Sequence, residues 1–446
     1  VSARPLIFWF RQDLRLADNL ALQAACATGV PVLPVYCHDP AQDAPSRWGF
    51  VRRGRHRRAF LSAALTDLDV ALRACGSRLV TLHASPAEAL PRLAQAIGAE
   101  TLVCEQIAAP EEQAVVEALR AAGLVVRTVW QSSLLDLDDL PFEPSRPPPV
   151  FTTFRQAIEG AGVQPREPVP APAVLPPLPT PLLAQLESLI CSPDMSATAW
   201  DEPAAASMLP AQVAQAGFPY WEARCSGGEQ AAAAYLQRYF STDLPRHYKA
   251  TRNGLSGTDY SSKWSPWLAQ GALSPRTIFA ALRRYEAERG ANDGTYWLWF
   301  ELLWRDYFRL LHLQHGARLY RGAGLAAQAP APHHDPIVFG RWCRGETGQP
   351  LVDAGMRELA ATGYLSNRLR QIVASYLIHD LGGDWRAGAA WFESQLVDYD
   401  VYSNQGNWLY LAGRGTDPRG GRRFNPDKQA RDYDPDGAYR RLWSTA

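Results

Sequence analysis

Residues 101–131, TLVCEQIAAPEEQAVVEALRAAGLVVRTVWQ, decide the fold of the first part of this chain. Two runs rich in β-branched and aromatic residues, 101–106 and 125–131, flank a helical stretch at 110–122. The helix opens with Pro and acidic residues in its first turn and closes on Gly, the expected start and stop signals. Strand, helix, strand at this spacing makes a βαβ unit. Working outward, LIFWF (6–10), VLPVYC (32–37) and RLVTLHA (78–84) read as further strands, with helical stretches at 17–27, 55–75 and 86–97 between them. Five strands with intervening helices predict an α/β domain built on a five-stranded parallel doubly wound sheet. No G-x-G-x-x-G follows the first strand; FRQDLRLADNLAL stands there instead, so the usual dinucleotide fingerprint is missing. The densest basic run, RWGFVRRGRHRRAF (47–60), reads as the solvated opening of a helix or, less favoured, a phosphate patch.

The 446 residues exceed one ordinary core, and two or three domains are expected. A hydrophobic content of 47% and a charged content of 20% are globular values. The 45 basic and 45 acidic side chains balance, which argues against non-specific coating of nucleic acid but leaves room for a local basic face. The seven Cys are scattered with no C-x-x-C, against a disulfide framework or a zinc site, and no metal is expected. No run reaches the ~18 apolar residues of a membrane span. The start, VSARPLIFWF, lacks the pattern of a signal peptide, and a reducing, cytoplasmic home is expected.

Residues 1–135 are therefore expected to form the α/β domain, 136–227 a Pro-rich connector over the surface with a short helix at 151–160, and 228–446 a larger all-α domain. In the last region SPRTIFAALRRYEAERG, TYWLWFELLWRDYFRLLHLQHG, NRLRQIVASYLIHDLG and AGAAWFESQLVDYD carry apolar residues at three- and four-residue spacing.

Several constellations in that region could carry chemistry. Ser261, Ser262, Lys263 and Ser265 precede a helix and suit a phosphate, or merely cap it. Glu301 and Arg305 lie on one helical face beside Trp304, as a surface ion pair or, on so aromatic a helix, a buried one that needs a reason. Arg370 sits on a largely apolar helix, and Asp398 is its natural partner. DYDVYSNQGNWLYLAG (398–413) has little periodicity before Asn407 and reads as a covered polar loop carrying Asp398, Asp400 and Asn404. A polar heterocycle with a diphosphate would explain the combination.

At this point the chain resembles the photolyase/cryptochrome family, and specifically its DASH cryptochrome branch. The marks are FWFRQDLRLADN, DLPFEPSRPPPVFTTFR, YKATRNGLSGTDYSSKWSPWLA, TYWLWFELLWRDYFR, SNRLRQ and DYDVYSNQGNW, long and collinear over nearly the whole chain. The resemblance implies an antenna-type α/β domain, an all-α FAD-binding domain and light-driven repair of cyclobutane pyrimidine dimers, with single-stranded DNA preferred. It implies that FAD is held by Tyr248, Ser261, Ser262, Lys263, Trp264, Ser265, Glu301, Arg305, Asn367, Arg370, Asp398, Asp400 and Asn404. Glu301, Trp304, Asn367, Arg368, Gln371 and Tyr410 would meet the lesion. Trp408 and Trp385 would pass electrons to the flavin, while the third, surface position of that path falls on Pro332, so slower or rerouted photoreduction is expected. A methenyltetrahydrofolate antenna would use a Glu just after the fourth strand; Ile107 stands there, with Glu105 two positions earlier. Ser366 replaces a His used on (6-4) photoproducts and argues against that substrate. A monomer is expected. The competing readings are a blue-light receptor, disfavoured by the lack of a long tail after AYRRLWSTA, and a nucleotide-binding electron-transfer or adenylate-binding protein using the α/β domain.

Overall fold

The structure is a computed structural model and describes residues 4–178, 218–327, 329 and 331–444. β1 (Leu6–Phe10), β2 (Val32–Cys37), β3 (Val80–Leu82), β4 (Thr101–Glu105) and β5 (Val125–Val129) pair in the order β3-β2-β1-β4-β5. All neighbours are parallel, with Leu6 opposite both Val32 and Thr101. Ile7 and Trp9 pack with Leu90, Leu93 and Leu119 on one face, while Leu6, Phe8 and Phe10 pack with Leu22, Leu61 and Leu68 on the other. Every β1 residue is buried, as a parallel sheet covered on both sides requires. The strand order reverses between β1 and β4, so the carboxyl ends of those strands open a crevice toward the helical region.

The segment after β1 is a latch between the two regions. Arg15 donates to the carbonyls of Asp18 (2.9 Å) and Gly271 (2.8 Å), and the Glu229 carboxylate accepts from the N–H groups of Leu16 and Ala17. Asp18, at φ +53°, is fully buried and accepts from Val169 N–H, Ser274 Oγ and Arg276 Nε. Gly271, at φ +69°, lies so close to the Gln12–Asp13 backbone that a side chain would collide with it. The basic run 47–60 does open a helix, Arg55–Ala74, but several of its arginines serve the same junction rather than solvent. Arg52 pairs with Glu393 and Glu111, Arg57 donates to the Glu393 carbonyl, and Arg55 donates to the Ala360 carbonyl.

The connector is corrected as well. Residues 179–217 of it lie outside the described residues, but its described part does more than cross the surface. The helix expected at 151–160 is there (Phe151–Gly160), and Phe151, Phe154, Ile158 and Phe218 enter the core of the helical region. The last region is helical, as expected. Its longest helix, Asp293–His315, starts in an Asn292/Thr295 capping box and runs against the helices Leu244–Thr251 and Val401–Leu411. The second of these corrects the loop expected at 398–413. Asp400 caps it, accepting from Ser403 N–H at 2.7 Å. Gln405 and Gly406 hold core-facing positions where aliphatic residues would have announced the period. Gly406 is needed there because Phe308 packs against its Cα.

A buried titratable group sits at the junction. Glu105, 1% exposed at the end of β4, faces Arg309 at 3.4 Å. Burial, reinforced by the nearby Asp13 carboxylate, pushes its carboxyl from the ordinary 4.5 up to about 7. A carboxyl that holds its proton more tightly when folded favours the fold below its unfolded value, and this contribution is lost as pH rises through about 7. Glu105→Gln is therefore expected to flatten the fall in urea midpoint between pH 5 and pH 8; equal slopes for both proteins would contradict the assignment.

Candidate functional site

One cavity in the helical region has a volume of about 270 Å3 and opens to the surface. Its wall brings together all thirteen residues expected to hold a cofactor, with Gln371 and Trp408. They come from five helices and two connecting segments. Tyr248 is on Leu244–Thr251, Glu301 and Arg305 on the long helix, and Asn367 and Arg370 on Asn367–Ser375. Ser261 to Trp264 form the turn into the helix Ser265–Gln270, where Lys263 adopts φ +58°. Asp398 and Asp400 lead into Val401–Leu411, which carries Asn404 and Trp408.

The expected pair forms: Arg370 Nη2 lies 2.8 Å from Asp398 Oδ2. The other oxygen, Asp398 Oδ1, is buried without a hydrogen bond within the described residues, as is Trp264 Nε1. An acceptor and a donor left unmade beside one cavity suit a ligand with both. Asn404 donates from Nδ2 to the Ala389 carbonyl at 3.0 Å, which fixes its amide.

Two expectations about charge are answered differently. Glu301 and Arg305 do not pair. Arg252, just beyond Leu244–Thr251 and not foreseen, bonds Glu301, while Arg305 donates to the Ser132 and Leu268 carbonyls and lies 4.0 Å from Asp400. Arg252 also lies over the Trp297 ring at 4.2 Å, so it is held on two sides. Burial raises the Glu301 carboxyl above its ordinary range, and Arg252 opposes this. The Lys263 ammonium, 2% exposed as a residue, is engaged by Tyr260 Oη at 2.6 Å and lies over the Tyr364 ring, and burial lowers it to about 7. The hydroxyls of Ser261, Ser262 and Ser265 are then the groups of that turn suited to an anion.

Trp304 and Tyr410 stand apart from the cavity lining and face each other edge-on, their rings 5.8 Å apart. Phe151, also unforeseen, stacks on Trp304 at 3.7 Å and 9°, and Arg422 bonds the Tyr410 hydroxyl. The pattern PPPVFTTF gave no sign of this contact, because it spans more than 150 positions. Arg368 donates to Asn253 at 2.9 Å and lies over the Tyr433 ring. Trp408 is 2% and Trp385 3% exposed; Gly388, one turn on from Trp385, leaves the space that the Trp408 ring occupies. Ile107 is buried and apolar, and Glu105 turns Oε1 to Arg309 while its Oε2 is buried without a hydrogen bond among the described residues.

Comparisons with known proteins agree with this geometry. A family profile described as the FAD binding domain of DNA photolyase matches residues 297–445, and one described as DNA photolyase matches residues 6–173. A Cryptochrome DASH from Gloeobacter violaceus is 43% identical over 455 aligned positions, covering 99% of this chain and 86% of the relative. The crystal structure of the Synechocystis sp. PCC6803 cryptochrome superposes with a TM-score of 0.86 at 42% identity, over 98% of this chain and 88% of that one. A bacterial class III photolyase from Agrobacterium tumefaciens gives 0.77 at 31% identity, over 99% and 87%.

Proposed function

The chain belongs to the photolyase/cryptochrome family, in its DASH cryptochrome branch, and from that premise we propose that it repairs cyclobutane pyrimidine dimers in DNA, preferring single strands, under blue or near-UV light. It is an FAD protein of the DNA photolyase type, and none of its described helices is long and apolar enough to cross a membrane.

The observation that carries the proposal is Glu301 on the cavity wall, with Trp304 and Tyr410 as a neighbouring aromatic pair. The unmade bonds of Asp398 Oδ1 and Trp264 Nε1 and the hydroxyl-rich turn at 261–265 fit FAD. The serine hydroxyls would take its diphosphate, Glu301 and Arg305 would lie beside the folded adenine and flavin, and Asn367 and Arg370 would flank the flavin. Asp400 would accept from its polar edge, and Asn404 would face N5. When bound, reduced FAD supplies the light-driven electron that opens the dimer and takes it back.

The chain's own residues do the rest. Trp304, braced by Phe151, gives the extruded dimer a flat wall, and Tyr410 with Arg422 makes the facing side polar. Extrusion costs a few kcal/mol from a duplex and least from a single strand, in keeping with the proposed preference. Arg368 would hold the backbone phosphate, and Gln371 and Asn367 the base edges. Glu301, its carboxyl raised by burial and oriented by Arg252, would donate from its protonated form to the dimer carbonyls where negative charge develops. A hydrogen bond to a charged partner is worth roughly 1.5–3 kcal/mol, so Glu301→Ala is expected to lower repair about ten- to a hundredfold with FAD retained. The assay is repair of a defined dimer in single- and double-stranded oligonucleotides, in light and in the dark. No illuminated repair by the intact, fully reduced protein would sink the enzyme reading and leave the receptor.

A further inference from the structure

The electron path expected through Trp408 and Trp385 has no indole at its outer end. Pro332 packs there, its ring 3.2 Å from where a side chain on Gly322 would begin, and the Gly322 carbonyl accepts the Trp385 indole N–H at 3.1 Å. Proline cannot give up an electron in this range, so the path ends at Trp385 unless another oxidisable side chain extends it. Beside Trp385 lies a cavity of about 530 Å3, whose wall carries three: Trp48, Tyr320 and Tyr399.

Two of them are poor donors. Arg47 lies over the Trp48 ring and Arg57 over the Tyr399 ring, each at 4.5 Å. A guanidinium on the face of a ring opposes the loss of an electron from it. All three rings share the cavity wall with Glu111, Glu112 and Glu393 and with Arg47, Arg52 and Arg386, but among the described residues no guanidinium lies over the face of Tyr320. Tyr320 is 36% exposed as a residue, but its hydroxyl is turned inward, 3.1 Å from His312 Nε2.

The histidine settles the direction of that bond. His312 Nδ1 lies 2.8 Å from the Phe308 carbonyl oxygen, which can only accept. Nδ1 therefore carries the hydrogen, Nε2 is bare, and the Tyr320 hydroxyl donates to it. The ring is 2% exposed, and burial lowers its pKa to about 4, so it stands as a neutral base. An oxidised phenol is a strong acid and needs such a base at hydrogen-bond distance.

We propose that Tyr320, with His312 as its proton acceptor, is the terminal electron donor of this protein's flavin photoreduction. The proposal rests on Trp408 and Trp385 being the inner relays. With oxidised FAD bound and excited by light, Trp408 would give up one electron to it and be refilled from Trp385. Tyr320 passes one electron to the Trp385 radical cation, restoring the indole, while its hydroxyl proton moves to His312 Nε2. A neutral phenoxyl radical and an imidazolium result. A thiolate in solution then returns one electron to the exposed ring, His312 returns the proton, and a thiyl radical is left in solution.

The test uses the full-length, FAD-loaded protein, with transient absorption and freeze-quench EPR after a light pulse and ring-deuterated tyrosine to identify the radical. The wild type is expected to give a tyrosyl signal that narrows on deuteration. Tyr320→Phe and His312→Gln are expected to lose it and show a shorter-lived tryptophan radical, whereas Trp48→Phe keeps it. Retained FAD absorbance and circular dichroism report folding, and Tyr320→Phe, conservative and partly exposed, keeps the test open if His312→Gln does not fold. In the dark apoprotein, 15N NMR is expected to show His312 neutral with hydrogen on Nδ1, and a shift at Nε2 in Tyr320→Phe. A tryptophan radical alone in the wild type, a tyrosyl signal surviving in Tyr320→Phe, or its loss in Trp48→Phe would each overturn the assignment. A tyrosyl signal that persists in Trp408→Phe would instead overturn the inner path and the route through it.

Discussion

Asp18→Ala is expected to lower the free energy of unfolding by about 3–5 kcal/mol, the cost of removing one partner from a buried ion pair. Asp18 is fully buried and Arg276 4% exposed, with 2.9 Å between Oδ2 and Nε. The substitution leaves the Arg276 guanidinium charged and dry, and also strips the acceptor from Ser274 Oγ and from Val169 N–H. One side chain thus loses contacts to the connector and to the helical region together. Asp18→Asn separates charge from shape, because its carbonyl oxygen can still accept from Val169. It is expected to cost less than Asp18→Ala. The urea midpoint at constant m-value measures both. Unfolding free energies within ~0.5 kcal/mol of wild type, as at ordinary surface sites, would show that the latch is not what joins the two regions.

Asp398→Ala is expected to strip the protein of FAD. Asp398 is 1% exposed by side chain and Arg370 24%, so the cation keeps some contact with the cavity until a ligand covers it. With FAD in place the cation is sealed in, and without Asp398 it has no counter-charge there. If about 3 kcal/mol of the pair's breaking cost falls on the loaded state, affinity drops roughly a hundredfold. The yellow colour after purification and a titration of apoprotein with FAD are the measurements. Asp398→Asn, which still offers an oxygen to Arg370, is expected to fall between. Equal affinity in all three would mean that the Arg370–Asp398 pair does not orient the flavin wall.

The five strands of the first region were legible, two of them to the residue, whereas 78–84 shortens to Val80–Leu82 and 125–131 to Val125–Val129. The runs at 6–10 and 32–37 are observed at those bounds, and the helix expected at 110–122 spans Pro110–Ala121. Buried parallel strands are short apolar runs, and Pro, acidic first turns and closing Gly mark the helices between them, so both signals are local. The helix Val401–Leu411 escaped because its core face holds Gln405 and Gly406 in place of aliphatic residues. The connector was misread in part because proline content reports stiffness, not where Phe151 and Phe218 come to rest.

The site shows the same division. Its thirteen expected cofactor residues could be named because they lie in long collinear motifs, and Arg370 was legible as an odd charge on a largely apolar helix, with Asp398 as the anion to match it. Their partners elsewhere were not legible. The i, i+4 spacing of Glu301 and Arg305 promised a pair, yet Glu301 turns to Arg252, from another helix. Asp18 finds Arg276, 258 positions away, and Trp304 finds Phe151.

By itself, then, the sequence determined the order of strands and helices, the absence of a dinucleotide loop and the residues grouped at the cavity. Periodicity and capping act over one or two turns of chain. Only the tertiary structure decided which charge faces which, that Tyr320 meets a bare imidazole nitrogen, and that the basic run 47–60 serves a junction. A long charged or aromatic side chain can reach several partners. Which it meets is settled within an ångström or two by how distant helices pack, and no local pattern encodes that distance.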